Sequence, residues 1–275
     1  MALVAVAGVK GSPGTSTAAL ALAGAWPKPA SGGPGTPVVV EADPAGGDWH
    51  LGFGLPGEAG LVRLAAASRR RTLDLALLHE HAVRIPGGAV AVTAPEQPEQ
   101  CAAALGALAP EWADAETGGT LVVADCGRLA GPAAGQKELL SAADLVLLVC
   151  RGAVGSLAHA ATAADRLRTA GRPVVAVVVG DSAWSPGEIA ETLGAAACRA
   201  VPHDAESVAL LHGAPLKRWR RWRRGPYTLM PEARGLALEL SRMLPPPLAE
   251  AQKDTDTAPP VEADTGLAAR LGRAT

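Results

Sequence analysis

The sequence predicts an α/β protein in which a doubly wound, mostly parallel sheet is flanked by helices. Short runs of valine and other apolar residues, typical of strands buried on both faces, alternate with longer segments of helical spacing. The first apolar run, residues 3–7, leads through a glycine-rich turn into an alanine- and leucine-rich segment of helical character. We predict one domain over residues 1–244 and a disordered tail over residues 245–275, which begins rich in Pro, Ala, Asp and Thr.

The glycine-rich turn GVKGSPGTST, residues 8–17, has the form of a phosphate-binding loop. Gly14 stands at the second glycine of the motif GxxxxGK[ST], Gly8 lies one residue before the position of its first glycine, and Ser16 and Thr17 follow at the predicted helix start. Backbone N–H groups of such a turn and the positive N-terminus of the helix converge on an anion. The sequence therefore predicts a phosphate site between the first strand and the first helix.

The loop departs from that motif at two positions, because Val9 stands at the first glycine and the lysine is also replaced. Thr15 stands where the motif has its lysine, and the lysine of the loop is Lys10, near its start. A glycine-rich turn without a ligand is the alternative interpretation. The glycines of the turn, its position after the first strand and the hydroxyl pair favour a ligand site.

The run KGSPGTST resembles the deviant Walker A motif KGGxGK[ST]T of the ParA/MinD family of P-loop ATPases. Lys10 matches the signature lysine of that family, Gly11 and Gly14 match its glycines, and Ser16 matches its Mg²⁺-binding hydroxyl. Thr15 replaces the second lysine, as in the TadZ/CpaE-like branch, which the GTST run resembles.

This resemblance implies a P-loop ATPase domain that binds ATP and Mg²⁺, forms a nucleotide-dependent homodimer and positions or partitions a cellular cargo. In the family the signature lysine reaches the phosphates of the partner, which implies a catalytic role in trans for Lys10. Thr15 in place of a phosphate-contacting lysine implies weak or absent ATP hydrolysis. The nucleotide-binding residues that the resemblance implies are Gly11, Ser12, Gly14, Thr15, Ser16, Thr17, Pro202 and Asp204.

Two further strand ends carry carboxylates where ligands of parallel sheets collect. The run after residues 38–40 resembles the second motif of the family, hhhDxDpxxg, in which Asp43 aligns with the carboxylate thought to orient the attacking water. Glu41 replaces the first Asp of that motif and is a weaker candidate, and a carboxylate that caps a loop is the alternative for both. Asp125 ends an apolar run that resembles a Walker B strand, which implies that Asp125 and Ser16 hold Mg²⁺, the carboxylate through water.

The segment AVPHD resembles the family's xxIPxD segment beside the adenine ring, and it supplies Pro202 and Asp204. Many relatives have, after the preceding strand, an asparagine that reads the purine base. Gly180 and Asp181 stand there in this chain, so the sequence leaves base recognition at that point open.

A basic tryptophan stretch, KRWRRWRRG, begins at residue 217 and places six cations around two tryptophans. The tryptophans either dock on the core with the arginines in solvent, or the stretch is a patch for nonspecific DNA or a membrane surface. The residues of this patch are Lys217, Arg218, Trp219, Arg220, Arg221, Trp222, Arg223 and Arg224. A protein cargo or adaptor is the other predicted partner.

Composition narrows the remaining classes of function. The net charge of −2 gives no global attraction to nucleic acid or anionic membranes. Four scattered cysteines without CxxC spacing argue against a zinc site and against an iron–sulfur ATPase. Without a basic leader or a long apolar span, we predict a cytoplasmic protein, peripheral at membrane or nucleoid if the patch binds there. The alternative function is a nucleotide-independent scaffold that acts through protein–protein or basic-patch contacts.

Overall fold

A computed structural model describes residues 2–11, 13–27, 35–115, 119–129, 131, 135–214 and 229–244. The strands are β1 (Ala2–Gly8), β2 (Val38–Glu41), β3 (Val83–Arg84), β4 (Val90–Val92), β5 (Leu121–Arg128), β6 (Leu145–Arg151), β7 (Val174–Val179) and β8 (Ala197–Val201). The helices are α1 (Thr15–Ala25), α2 (Trp49–Gly52), α3 (Gly60–Ser68), α4 (Leu75–His81), α5 (Pro98–Leu108), α6 (Gln136–Ala142), α7 (Val154–Thr169), α8 (Pro186–Leu193), α9 (Ala205–Leu211) and α10 (Leu229–Met243). Ser12, the basic tryptophan stretch and the predicted tail lie outside the described residues.

The strands form one sheet in the order β3-β4-β2-β5-β1-β6-β7-β8. All neighbours pair in parallel except β3 and β4, which form an antiparallel hairpin at one edge. This confirms the predicted doubly wound, mostly parallel sheet. The sequence did not predict β3, because two residues are too few to show a strand period.

Helices cover both faces of this sheet. Side chains alternate along β1, so Leu3 and Ala5 join a core with the helices from α3 to α8, whereas Val4 and Val6 face α1 and α10. The two cores explain why the central strands are apolar at almost every position. Among the described residues, no helix is long and apolar enough to cross a membrane.

The parallel register brings the carboxyl ends of the central strands to one edge. β5 lies between β1 and β2, with Asp125 paired to Val6 on one side and to Glu41 on the other. The α1 helix begins at the same edge, directly after the glycine-rich turn, where the sequence predicts a helix. The predicted phosphate loop and the predicted carboxylates are therefore neighbours in space.

Candidate functional site

A cavity of about 580 Å³ opens at the carboxyl edge of the sheet, in front of the first turn of α1. It is lined by residues 13–17, by Asp43 after β2, by Gly127 and Arg128 at the tip of β5, and by His212 after α9. The remaining wall comes from α2 and its N-cap: Asp48, Trp49, Gly52 and Phe53. The cavity thus joins three strand ends to the start of a helix, the usual position of ligands in open parallel sheets.

The loop before α1 leaves the helix N-terminus open toward this cavity. Gly14 is the N-cap residue in a left-handed conformation, with φ of 92°, which glycine adopts without steric strain. Within the described part of the chain, no side chain caps this helix. The first-turn N–H groups, which have no acceptor inside a helix, therefore offer a site for an anion.

The Thr15 side chain does not take over the phosphate contact of the missing lysine. Its side chain is buried and packs against Gly8 at the end of β1, where a Cβ atom would overlap the Thr15 hydroxyl. The residue at this position therefore fills the base of the loop and brings no positive charge to the cavity.

Ser16 and Asp125 meet below the loop. The Asp125 carboxylate is only 1% exposed and accepts hydrogen bonds from the Ser16 hydroxyl and from the N–H of Gly127 at 3.2 Å. Burial raises the pKa of Asp125 to about 6, against the lowering effect of these two donors. A buried carboxylate beside a hydroxyl supplies the hard oxygen ligands that Mg²⁺ prefers, and a cation would offset the burial of the charge. These residues fit the metal that the sequence predicted for them.

Asp43 lies in the same cavity on the β5 side. One of its oxygens accepts the N–H of Ala45 at 2.8 Å, and the carboxylate also accepts the N–H of Arg128. Burial raises the pKa of Asp43. The carboxylate packs against Gly127. A Cβ atom at Gly127 would overlap the Asp43 side chain, and the φ of 58° favours glycine there. The chain thus brings Asp43, Ser16 and Asp125 together, as their positions at neighbouring strand ends predicted.

Glu41 anchors the wall formed by α2. One carboxylate oxygen accepts the N–H groups of Asp48 at 2.7 Å and Trp49 at 3.1 Å, and the other accepts that of Ala94 at 2.8 Å. The side chain is buried and is not part of the cavity lining. Burial raises the pKa of Glu41 to about 7, although the three N–H donors act to lower it. Glu41 therefore connects the tips of β2 and β4 to the start of α2.

We expect Glu41→Ala to lower the free energy of unfolding by about 3 kcal/mol or more at pH 6, because it leaves buried N–H groups without an acceptor. Urea denaturation followed by tryptophan fluorescence measures this. Asp74→Ala is the matched control, since Asp74 caps α4 through a single N–H, that of Leu77 at 2.7 Å. The control should lose only about 1 kcal/mol. Equal losses in the two variants would contradict the anchoring role.

His212 lines the cavity, and no motif in the sequence marks it. Its Nε2 lies 3.3 Å from the Thr17 hydroxyl, and burial lowers the pKa of the imidazole. Trp49 and Phe53 are a second unpredicted feature of this wall. These residues come together only because α9 and α2 pack near α1, and contacts of such long sequence separation leave no local pattern.

The other predicted site residues lie apart from this cavity. Lys10 is exposed in the loop and does not line it, and Gly11 has a left-handed φ of 104°. Pro202 lines a second cavity, of about 500 Å³, at the tips of β6, β7 and β8 together with Asp181. Asp204 caps α9 by accepting the N–H groups of Glu206 at 3.2 Å and Ser207 at 3.1 Å. Its carboxylate is thus already engaged in a structural contact.

The sheet order, the crossover helices and the loop between β1 and α1 define the P-loop NTPase fold of ParA and MinD proteins. Among solved structures, the chain is similar to a ParA family ATPase from Chlorobium tepidum TLS, with a TM-score of 0.61 and 18% identity over 86% of this chain and 98% of that one. It is also similar to the cell division ATPase MinD of Pyrococcus furiosus, with a TM-score of 0.61 and 17% identity over 88% and 100% of the two chains. The septum site-determining protein MinD of Pyrococcus horikoshii OT3, complexed with Mg-ADP, has a TM-score of 0.58 and 14% identity over 88% and 98%.

At these identities the likeness shows the fold. No protein-family model matches the sequence, and no curated protein matches it.

Proposed function

We propose that this chain is an ATP-binding switch protein of the ParA/MinD type, which dimerises on nucleotide and positions or partitions a cellular cargo. The observation that carries this proposal is the open N-terminus of α1 in front of a cavity with the Ser16–Asp125 pair at its base. An anion-binding helix end beside oxygen ligands for a divalent cation suits a Mg²⁺-bound polyphosphate.

In this proposal Gly11, Ser12 and Gly14 to Thr17 surround the phosphates, and Ser16 and Asp125 hold Mg²⁺. Bound Mg²⁺ would neutralise part of the phosphate charge. Asp43 orients the attacking water, and Pro202 lies beside the base in the second cavity. The Mg-ADP bound to MinD of Pyrococcus horikoshii supports this placement by analogy of fold.

Hydrolysis is weak or absent in this proposal because Thr15 brings no charge to the phosphates. Lys10, exposed at the start of the loop, acts in trans on the partner's nucleotide. The protein then responds to bound nucleotide more than it consumes it. Without a charge at position 15, turnover loses an electrostatic contribution that phosphoryl transfer depends on.

Lys10→Ala should abolish ATP-dependent dimers and leave the monomer folded, because it removes the charge that reaches across the interface. Size-exclusion chromatography with light scattering, in Mg²⁺ with ATP or ADP, measures the mass. Lys137→Ala is the control, since it also removes an exposed lysine, on α6. Unchanged dimerisation of the Lys10 variant would rule out this role.

The nucleotide-independent scaffold is the second candidate, favoured by the buried Thr15 and by the several carboxylates around the cavity. Binding of fluorescent ATP, excited by energy transfer from the six tryptophans, distinguishes the switch protein from the scaffold. Saturable binding that depends on Mg²⁺ supports the switch, and its absence supports the scaffold.

The patch of residues 217–224 is proposed as the contact to nonspecific DNA, membrane or a protein adaptor. DNA and liposome binding with and without ATP tests this, with the joint substitution of Arg220, Arg221, Arg223 and Arg224 as the matching variant.

A further inference from the structure

Acidic side chains outnumber charged basic ones in and beneath the cavity in front of α1. Asp43 and Asp48 line it, and the buried Asp125 lies beneath it. Among the described residues that line the cavity, the basic ones are Arg128 and His212. Burial lowers the pKa of His212 below its ordinary value of 6.5, so the imidazole is largely neutral at pH 7. Arginine keeps its charge at any physiological pH.

The backbone of Arg128 is fixed at the base of the phosphate loop. Arg128 is the last residue of β5 and pairs with Gly8, the last residue of β1. The N–H of Leu129 donates to the Gly8 carbonyl at 2.9 Å, and the N–H of Arg128 donates to the Asp43 carboxylate. These contacts place the Arg128 side chain beside both the loop and Asp43.

The guanidinium of Arg128 is uncommitted. The residue is exposed, and in the described ranges its side chain makes no hydrogen bond or ion pair, although two carboxylates line the same cavity. Other arginines do find acid partners, as Arg199 does with Glu232 at 3.5 Å and Glu239 at 2.9 Å. Arg128 thus has a fixed backbone and a free planar cation at the rim of an anion site. This arrangement suits a phosphate ligand.

We propose that Arg128 contacts the nucleotide within the same subunit and binds its terminal phosphate, from the tip of β5 and not from position 15 of the loop. This inference rests on the proposed function, since it assigns a ligand contact in the same cavity. Arg128 and Lys10 then have separate roles: Arg128 contacts the phosphate in cis, whereas Lys10 does not line the cavity and acts across the dimer. The position of Arg128 beside Asp43 puts its contact at the outer end of the phosphate chain.

Isothermal titration of ATP and ADP into the full chain with Mg²⁺ tests the inference on Arg128→Ala, Arg128→Gln and Arg128→Lys. We expect the Ala and Gln variants to weaken ATP binding by about 10- to 100-fold, the range of a lost hydrogen-bonded charge, and ADP binding by less. Arg128→Lys should restore part of the loss, because it keeps the charge without the planar fork. Arg166→Ala is the control, since it removes an exposed arginine from the last turn of α7, away from the carboxyl ends of the strands. This variant should bind ATP and ADP as the wild type does.

The Gln variant keeps most of the side-chain bulk, and thermal unfolding of each variant without ligand confirms that it is folded. ATP binding by Arg128→Gln at wild-type affinity would overturn the inference and leave the proposed function standing. Equal weakening of ATP and ADP with no rescue by lysine would also overturn it, since this would indicate a structural role. Failure of the wild type to bind either nucleotide would refute the proposed function itself, and this inference with it.

Discussion

Asp125→Asn should abolish the Mg²⁺ dependence of ATP binding and, without ligand, leave the protein as stable as the wild type or more so. Both effects have one cause, the burial of a carboxylate whose pKa is raised to about 6. The amide keeps the shape and can still accept the Gly127 N–H, so folding loses little. Relief of the buried charge stabilises the ligand-free variant by up to about 3 kcal/mol above pH 7, from the raised pKa. The same amide cannot balance the charge of Mg²⁺.

Two measurements check the expected loss of Mg²⁺ dependence and the expected gain in stability. Urea denaturation in EDTA gives the stability, and ATP titrations in Mg²⁺ and in EDTA give the metal dependence. Ser16→Ala is the companion variant: it removes the other proposed ligand and should lose the same dependence, without the gain in stability. An Asp125→Asn variant that binds ATP with undiminished Mg²⁺ dependence would show that the metal is held elsewhere.

Stability without ligand should fall as the pH rises from about 4.5 to about 7, with Glu41 as a main cause. Burial raises the pKa of Glu41 from its ordinary value of 4.5 to about 7. Between these values the folded protein holds a proton on Glu41 that the unfolded chain has released, so the folded state binds more protons and loses stability with rising pH. Across this pH range, Glu41 lowers the free energy of unfolding by about 3 kcal/mol.

Glu41→Gln is the matched variant for this effect, since its neutral amide has no proton to lose. Its unfolding free energy, measured by urea denaturation at half-unit pH steps in EDTA, should vary less across the window than that of the wild type. Parallel profiles for the two proteins would assign the pH dependence to other groups.

The main architecture could be predicted because parallel strands buried on both faces are apolar throughout, and such runs are visible in the sequence. The same reasoning placed α1 directly after the glycine-rich turn and set Ser16, Asp43 and Asp125 at one edge.

The missed features depend on distant contacts or very short elements. The sequence makes Glu41 a candidate beside Asp43, but its carboxylate caps α2, a helix of four residues that has no detectable period. Arg128 and Gly8 are paired across β1 and β5, although 119 residues of chain lie between them. Only the sheet register shows that an arginine stands beside a loop that lacks its lysine.

Isothermal titration of ATP into the full wild-type chain with Mg²⁺ tests the proposed nucleotide site most directly. We expect one saturable site per chain, with affinity at least about tenfold lower when EDTA replaces Mg²⁺, a difference of about 1.4 kcal/mol. Heats of dilution alone, at ATP concentrations up to the millimolar range, would contradict a nucleotide site at the start of α1.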